Sequence, residues 1–365
     1  MDGQTLFGIV ERYHGLGIHQ SGTAVDIATA RWLVTELETR GMSTSRQSVP
    51  FDRYAYESSL VADGEAVDHL PLFYEWVGEV ETTDVDVRLV DTRGGGSVGL
   101  IDAAIAEAAS SGRAASLLAT DHPNGSLVAV NRSTGLGSGH PVVLVAGRDH
   151  DRLAEAAEIR LRLQATTERA ATTNVIARNS AALGTDDQPL LFTTPLTGWV
   201  RAAGERGTGV AIFLEMIERF SDVPVLAVAC GGHELDHLGV HHWLGTRDDE
   251  PAAVVHLGAS VAVDQATPDG RVLAPTRFGV TNAGGDKGDA MRAALTPGRL
   301  TVRTDTDQWV GESETLQLLD VPMLSIAGGG IDFHTHDDTP ERATSPAALS
   351  LMADIVEAAT RILIT

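Results

Sequence analysis

Between Thr23 and Arg40, Val25, Ala28, Trp32, Leu33 and Leu37 recur at helical spacing, and the run stops at Gly41. That period predicts an amphipathic helix closed by a C-terminal glycine. From Phe51 to about Thr172 the texture changes to short β-branched runs, Val85 to Val90, Ser116 to Ala119, Pro141 to Ala146 and Glu158 to Ala165, around one Ala-rich helix, Ile101 to Ala108. Glycine and serine gather at Gly94-Gly95-Gly96-Ser97 and at Gly135-Leu136-Gly137-Ser138-Gly139, which read as turns rather than phosphate cradles. After Thr173 strand and helix patterns alternate. Strands are predicted at Leu190 to Thr193, Pro224 to Ala229, Ala253 to Gly258, Leu300 to Arg303 and Pro322 to Ile326, with helices over Thr208 to Phe220 and from about Leu238. Such alternation implies an α/β layer with a mostly parallel or mixed central sheet covered by helices. Ser345 followed by Pro346 is a start signal for a final helix, as N-cap and first helical residue. The first helix is needed to cover the same sheet, so the β-rich block reads as an insertion. The predicted organisation is one α/β domain from residues 1–50 and 173–365, interrupted by a small β-rich domain at 51–172.

Length agrees with that division, since 365 residues exceed the roughly 100 to 200 of one ordinary domain. With 43% hydrophobic and 21% charged residues, disordered and low-complexity classes drop out. Apolar runs such as Val223 to Cys230 are too short to cross a bilayer, and the start Met1-Asp2-Gly3-Gln4 has no basic leader region. Cys230 is the single cysteine, which excludes an internal disulfide framework and a cysteine-only metal site. These features predict a cytoplasmic protein. Fifty acids against 27 bases give a net charge of −23, which repels phosphate backbones and anionic lipid surfaces, so neither nucleic acid nor membrane is expected as a partner. The oligomeric state stays open, self-association included.

Two clusters carry candidate chemistry. Gly231-Gly232-His233-Glu234-Leu235-Asp236-His237 directly follows the strand that ends at Cys230, and ligands in open α/β sheets bind beyond the carboxyl ends of strands. His233 to His237 also matches H-E-x-x-H, a zinc motif when both histidines lie on one helical face. The two glycines and the preceding strand argue instead for a turn at His233. The second cluster is Phe333-His334-Thr335-His336-Asp337-Asp338-Thr339-Pro340, after the glycine run Gly328-Gly329-Gly330. Imidazoles flanked by carboxylates suit a metal or a proton-transfer site, and equally a solvated loop.

The order of these pieces resembles the zinc aminopeptidases of the bacterial aminopeptidase and glutamate carboxypeptidase type. Gly17-Ile18-His19-Gln20-Ser21-Gly22-Thr23 is similar to that family's entry before the first helix. Val87-Arg88-Leu89-Val90-Asp91 resembles a strand of an inserted protease-associated domain, and Thr173-Asn174-Val175-Ile176-Ala177 resembles the strand returning to the catalytic layer. Gly207-Thr208-Gly209-Val210-Ala211 is similar to a family helix start, and Phe333 to Pro340 to its "YHT-x-x-DT" end.

The resemblance implies up to two zinc ions beside a glutamate base, carried unevenly by this chain. The first His and the Asp two residues later fall on Pro195 and Thr197, and another Asp falls on Gly258 in His256-Leu257-Gly258, so the first metal position is lost. The bridging Asp falls on Glu205, the paired glutamates fall on His233 and Glu234, and the last ligand falls on His334. By resemblance, then, at most one zinc is held by Glu205, Glu234 and His334, or no metal at all. His233 replaces the glutamate base, and Glu312, in Gly311-Glu312-Ser313-Glu314, helps place the substrate. His237, His336 and Asp338 join the pocket. The implied activity is that of a metallopeptidase-like hydrolase, or a related acyl-group enzyme, on a small amide or peptide-like molecule. The alternatives are a non-catalytic binding protein and a metal-free enzyme that reuses the pocket.

Overall fold

The computed structural model describes residues 1–91, 98–131, 135, 137–182 and 187–365. The predicted turn Gly94 to Ser97 lies outside them, as does Leu136 of the second glycine-rich run. Its centre is a sheet in which Met323–Gly328, Ala253–Leu257, Leu190–Pro195 and Val225–Cys230 lie side by side and parallel, in that order. Ile159–Arg178 extends it antiparallel beyond Val225–Cys230 and pairs in turn with Ser43–Ala62. At the opposite edge Arg277–Thr281 runs antiparallel to Met323–Gly328 and carries Thr301–Arg303.

Both faces of the central strands are apolar, and alternate residues feed two separate cores. Leu190, Phe192, Val225, Ala227, Val255, Leu324 and Ile326 join the larger core with the helices Gly3–Gly15, Thr208–Arg219 and Pro346–Ile364. Leu191, Leu226, Val228, Val254 and Met323 face the other way, against Val240 and Trp243 of helix Leu238–Thr246. A period of two with both sets apolar is what a parallel sheet covered on both sides requires. The last helix begins as predicted: the Ser345 hydroxyl accepts from the Ala348 amide at 3.3 Å, with Pro346 in the first position.

Ser43–Ala62 and Ile159–Arg178 pair along twenty residues each, Ser43 with Arg178 through to Ala62 with Ile159. Between their far ends sits a second sheet, ordered His69–Pro71, Val142–Ala146, Ala115–Asp121 and Val85–Asp91, with helix Val98–Ser110 beside it. The predicted boundaries at residues 50 and 172 fall within the long hairpin, where Val49 pairs with Thr172. No helix among the described residues is long and apolar enough to cross a membrane.

Candidate active site

Every candidate residue but one lies just beyond the C-terminal end of a central parallel strand or in Phe333 to Asp338. Glu205 follows Leu190–Pro195, His233 and Glu234 follow Val225–Cys230, and His334 follows Met323–Gly328. Glu312 enters from the turn before Ser313–Leu316 and is fully buried.

Glu205 sits on a short π-helical turn, Ala203–Gly207, entered through Ala202 with φ of 48°. Single π-turns of this kind concentrate at functional sites. Asp338 holds the turn by accepting the Gly204 and Glu205 amides at 2.7 and 3.0 Å. A Cβ at position 204 would lie 2.6 Å from that of Ala343 and 2.8 Å from Asp338 Oδ1, so only glycine fits. Burial pushes the Asp338 carboxyl up to about 7, against the pull of those two amides.

Glu205 Oε1 lies 2.8 Å from Arg206 Nη2 and 3.1 Å from His334 Nε2. Burial acts to raise its carboxyl, but Arg206 first and His334 next hold it down at about 2. Arg206 is itself buried and tied by its Nε to the Thr197 carbonyl at 2.7 Å. His334 has φ of 61°, a left-handed conformation that costs a non-glycine residue. The segment between the two long strands fixes it: Nδ1 meets the Ala129 carbonyl at 3.0 Å, and the Ala129 amide donates to the His334 carbonyl at 2.9 Å. The same segment is anchored nearby, with Trp199 Nε1 donating to Asn131 at 2.8 Å and Phe73 stacked on the Trp199 ring.

His233 Nδ1 is 3.2 Å from Glu312 Oε1. Burial, and then the Arg206 charge, hold the His233 imidazole well below its ordinary 6.5, so it is the free base at neutral pH. Burial raises the Glu312 carboxyl, with His256 and His237 pulling the other way. His237 stands beside His233, ring centres 5.2 Å apart, with its Nδ1 on Thr315 Oγ1 at 3.1 Å. His336 is exposed.

Glu234 faces elsewhere. Ser21 Oγ and the Ser21 amide donate to its Oε1 at 2.7 and 3.2 Å, and Thr197 Oγ1 donates to Oε2 at 2.8 Å. The Thr197 hydroxyl also accepts the Gly232 amide at 2.8 Å. The H-E-x-x-H geometry is absent too: His233 to His237 is a turn, Asp236 and His237 have positive φ, and the helix starts only at Leu238.

Sequence reading passed over two members of this site. Arg206 adjoins a named ligand candidate, and that adjacency was its only signal. His256 sits in the apolar strand Ala253–Leu257, where pattern alone assigns it to the core. Its Nδ1 meets Thr193 Oγ1 at 2.9 Å, and its Nε2 lies 2.9 Å from where a Cβ on Gly258 would stand. The imidazole fills the room left by the missing side chain, and burial lowers its pKa to about 4.

The donor set does not fit zinc. Glu205 and His334 converge, but the other neighbour of Glu205 Oε1 is a guanidinium, and the Glu234 oxygens are taken by Ser21 and Thr197. A metal ion would face that cation at close range, where even two unit charges 4 Å apart repel by about 4 kcal/mol at an effective dielectric of 20. Among the described residues no group of three or more His, Cys, Asp or Glu side chains could hold a metal. What the cluster does hold is unmet hydrogen-bonding capacity. Both oxygens of Glu205 and of Glu312, both Nη atoms of Arg206, His233 Nδ1 and His256 Nε2 are buried without an aligned hydrogen bond among the described residues, although Glu205 Oε1 meets Arg206 and His334, and His233 meets Glu312, as close charged contacts.

No family model matches the chain, and no curated protein matches its sequence. Solved structures do match. A zinc aminopeptidase from Bacillus subtilis is 16% identical with a TM-score of 0.76, over 98% of this chain and 94% of that one. A peptidase M28 precursor from Shewanella amazonensis is 16% identical with a TM-score of 0.74, over 99% and 93%. A glutaminyl cyclase from Porphyromonas gingivalis is 12% identical with a TM-score of 0.51, over 100% and 98%. Over nearly its whole length, then, this chain has the α/β fold of the zinc aminopeptidases, with a mixed central sheet whose middle strands are parallel.

Proposed function

We propose that the protein is a hydrolase-like enzyme, or a related acyl-group enzyme, acting on a small amide or peptide-like molecule, with His233 moving the proton and Glu312 behind it. The observation that carries this reading is the 3.2 Å contact between His233 Nδ1 and Glu312 Oε1 at the strand ends. A neutral imidazole that keeps its proton on Nδ1, beside the carboxylate, leaves Nε2 free as a base. In amide hydrolysis Nε2 takes a proton from water as the oxygen bonds to the carbonyl carbon. It then gives that proton to the amine as the C–N bond breaks. Of the two cofactor readings, one zinc or none, the geometry around Glu205 favours none. The division into an aminopeptidase-like domain at 1–50 and 173–365 and a protease-associated-like domain at 51–172 belongs to the same reading, as does a cytoplasmic location. The second sheet, together with the contacts of Ala129 to His334 and of Asn131 and Phe73 to Trp199, supports an inserted block that walls the site.

The test is turnover of a panel of aminoacyl and acyl amides by the wild type and by His233→Ala. Hydrolysis lost in the variant supports the reading, and equal rates in both proteins remove His233 from the mechanism. The pre-formed Arg206–Glu205 pair also suits a binding protein that reuses the pocket. Tight binding of a small molecule with no turnover across the panel would favour that second reading.

A further inference from the structure

Both metal positions that the fold's zinc enzymes suggest are refilled here by side chains of the chain itself. At one, Gly258 carries nothing, and His256 Nε2 stands 2.9 Å from the point its Cβ would take. At the other, Glu205 Oε1 and His334 Nε2 are 3.1 Å apart, a separation that two ligands of one zinc could span with bonds of about 2 Å. Yet that same oxygen already has Arg206 Nη2 at 2.8 Å. The guanidinium is not there by accident of a flexible chain. Its side chain is fully buried, its Nε is fixed on the Thr197 carbonyl at 2.7 Å, and the turn Ala203–Gly207 that bears it is pinned by Asp338. Thr197, which lacks the carboxylate a metal would want, instead ties down Glu234, the remaining ligand candidate.

We infer that Arg206 is the resident cation of this site, standing on Glu205 beside His334 where a metal ion would bind, and that the site works without a metal. A guanidinium is always protonated and is less strongly hydrated than an ammonium, so it can hold a positive charge in a fully buried position. Arg206 Nη1, buried and without a hydrogen-bond partner among the described residues, is the donor it presents to a ligand oxygen. In the reading above that oxygen is the amide carbonyl. The identity of the ligand rests on that reading; the exclusion of metal does not.

The experiment is therefore read by metal content and unfolding, not by turnover. The purified wild type is equilibrated with zinc chloride, passed through a desalting column and analysed for zinc, and its unfolding midpoint is measured with and without zinc. The expected result is no retained ion and an unchanged midpoint. One zinc per chain, lost in Glu205→Gln and in His334→Ala, would overturn the inference. Arg206→Met and Arg206→Gln remove the cation and free Glu205 and His334. Zinc should raise the unfolding midpoint of whichever of these variants folds. A folded variant that zinc leaves unmoved contradicts the claim that the guanidinium is what keeps the ion out. If neither variant folds, the wild-type arm alone decides.

Discussion

Glu234 and Glu312 are both buried carboxylates at the same end of one sheet, and their surroundings are opposite. Glu234 receives three hydrogen bonds, from Ser21 and Thr197, and neither of its oxygens is orphaned. Glu312 has a histidine 3.2 Å away and no aligned hydrogen bond on either oxygen. Buried polar groups are nearly always paired, because an unpaired one costs the whole of its desolvation. The contrast teaches which residues hold the structure and which are kept ready for something else. Glu234 ties the start of helix Ala24–Thr39 to the loop after Val225–Cys230, whereas Glu312, His233, His256 and Arg206 keep buried polar atoms without aligned hydrogen bonds among the described residues, a reserve. Such reserves are where proteins give up stability for function.

The largest effect that could break this comparison is at the ion pair. Arg206→Met leaves Glu205 charged and buried beside one imidazole, and should cost about 3–5 kcal/mol of unfolding free energy. The double variant Arg206→Met with Glu205→Gln should recover much of that loss, a coupling that denaturant unfolding in a double-mutant cycle reads directly. Equal losses that simply add would mean the two groups do not interact.

Glu234→Gln keeps the shape and loses the charge that its three donors face. A loss of about 1.5–3 kcal/mol follows for hydrogen bonds to a charged group. Gly258→Ala comes next. Its methyl would meet His256 Nε2 and Ala327 Cβ, each 2.9 Å away, and overpacking of that kind costs about 1–3 kcal/mol. A Gly258→Ala protein as stable as the wild type would show that the imidazole is free to move off.

The fold was legible wherever period and composition agreed. Strands such as Leu190–Pro195 and Val225–Cys230 lie within a residue or two of their predicted bounds, since short apolar runs between turn residues leave few alternatives. Helix Gly3–Gly15 was missed although Leu6, Ile9, Val10 and Tyr13, all buried, keep helical spacing. Ser43–Ala62 was missed for a different reason. Most of its residues are exposed or half-buried, and its twenty-residue length comes from pairing with a partner over a hundred residues away. Arg277–Thr281 likewise gets its place from a neighbour across the sheet. In the site, order along the chain brought out Glu205, His233, Glu234, Glu312 and His334. It could not show which way a carboxylate turns, and so Glu234 read as a ligand. Nor could it show the part of His256, which depends on Thr193 of the neighbouring strand 2.9 Å away, or that of Arg206, whose guanidinium turns back onto its neighbour Glu205 at 2.8 Å.

The smallest stability effect sharpens the comparison most. Burial raises the Glu312 carboxyl, so its favourable contribution is fully present below the ordinary 4.5 and is lost as pH rises through the raised value. A glutamine does not titrate. Glu312→Gln should therefore match the wild type at low pH and become the more stable protein as pH rises above 4.5.

One measurement tests the central claim most directly: the unfolding free energies of Glu312→Gln and Glu234→Gln, side by side with the wild type, from pH 4.5 to pH 8. The account predicts that Glu312→Gln is at least as stable as the wild type and gains on it as pH rises, while Glu234→Gln is less stable at neutral pH. A destabilised Glu312→Gln beside an unaffected Glu234→Gln would contradict it.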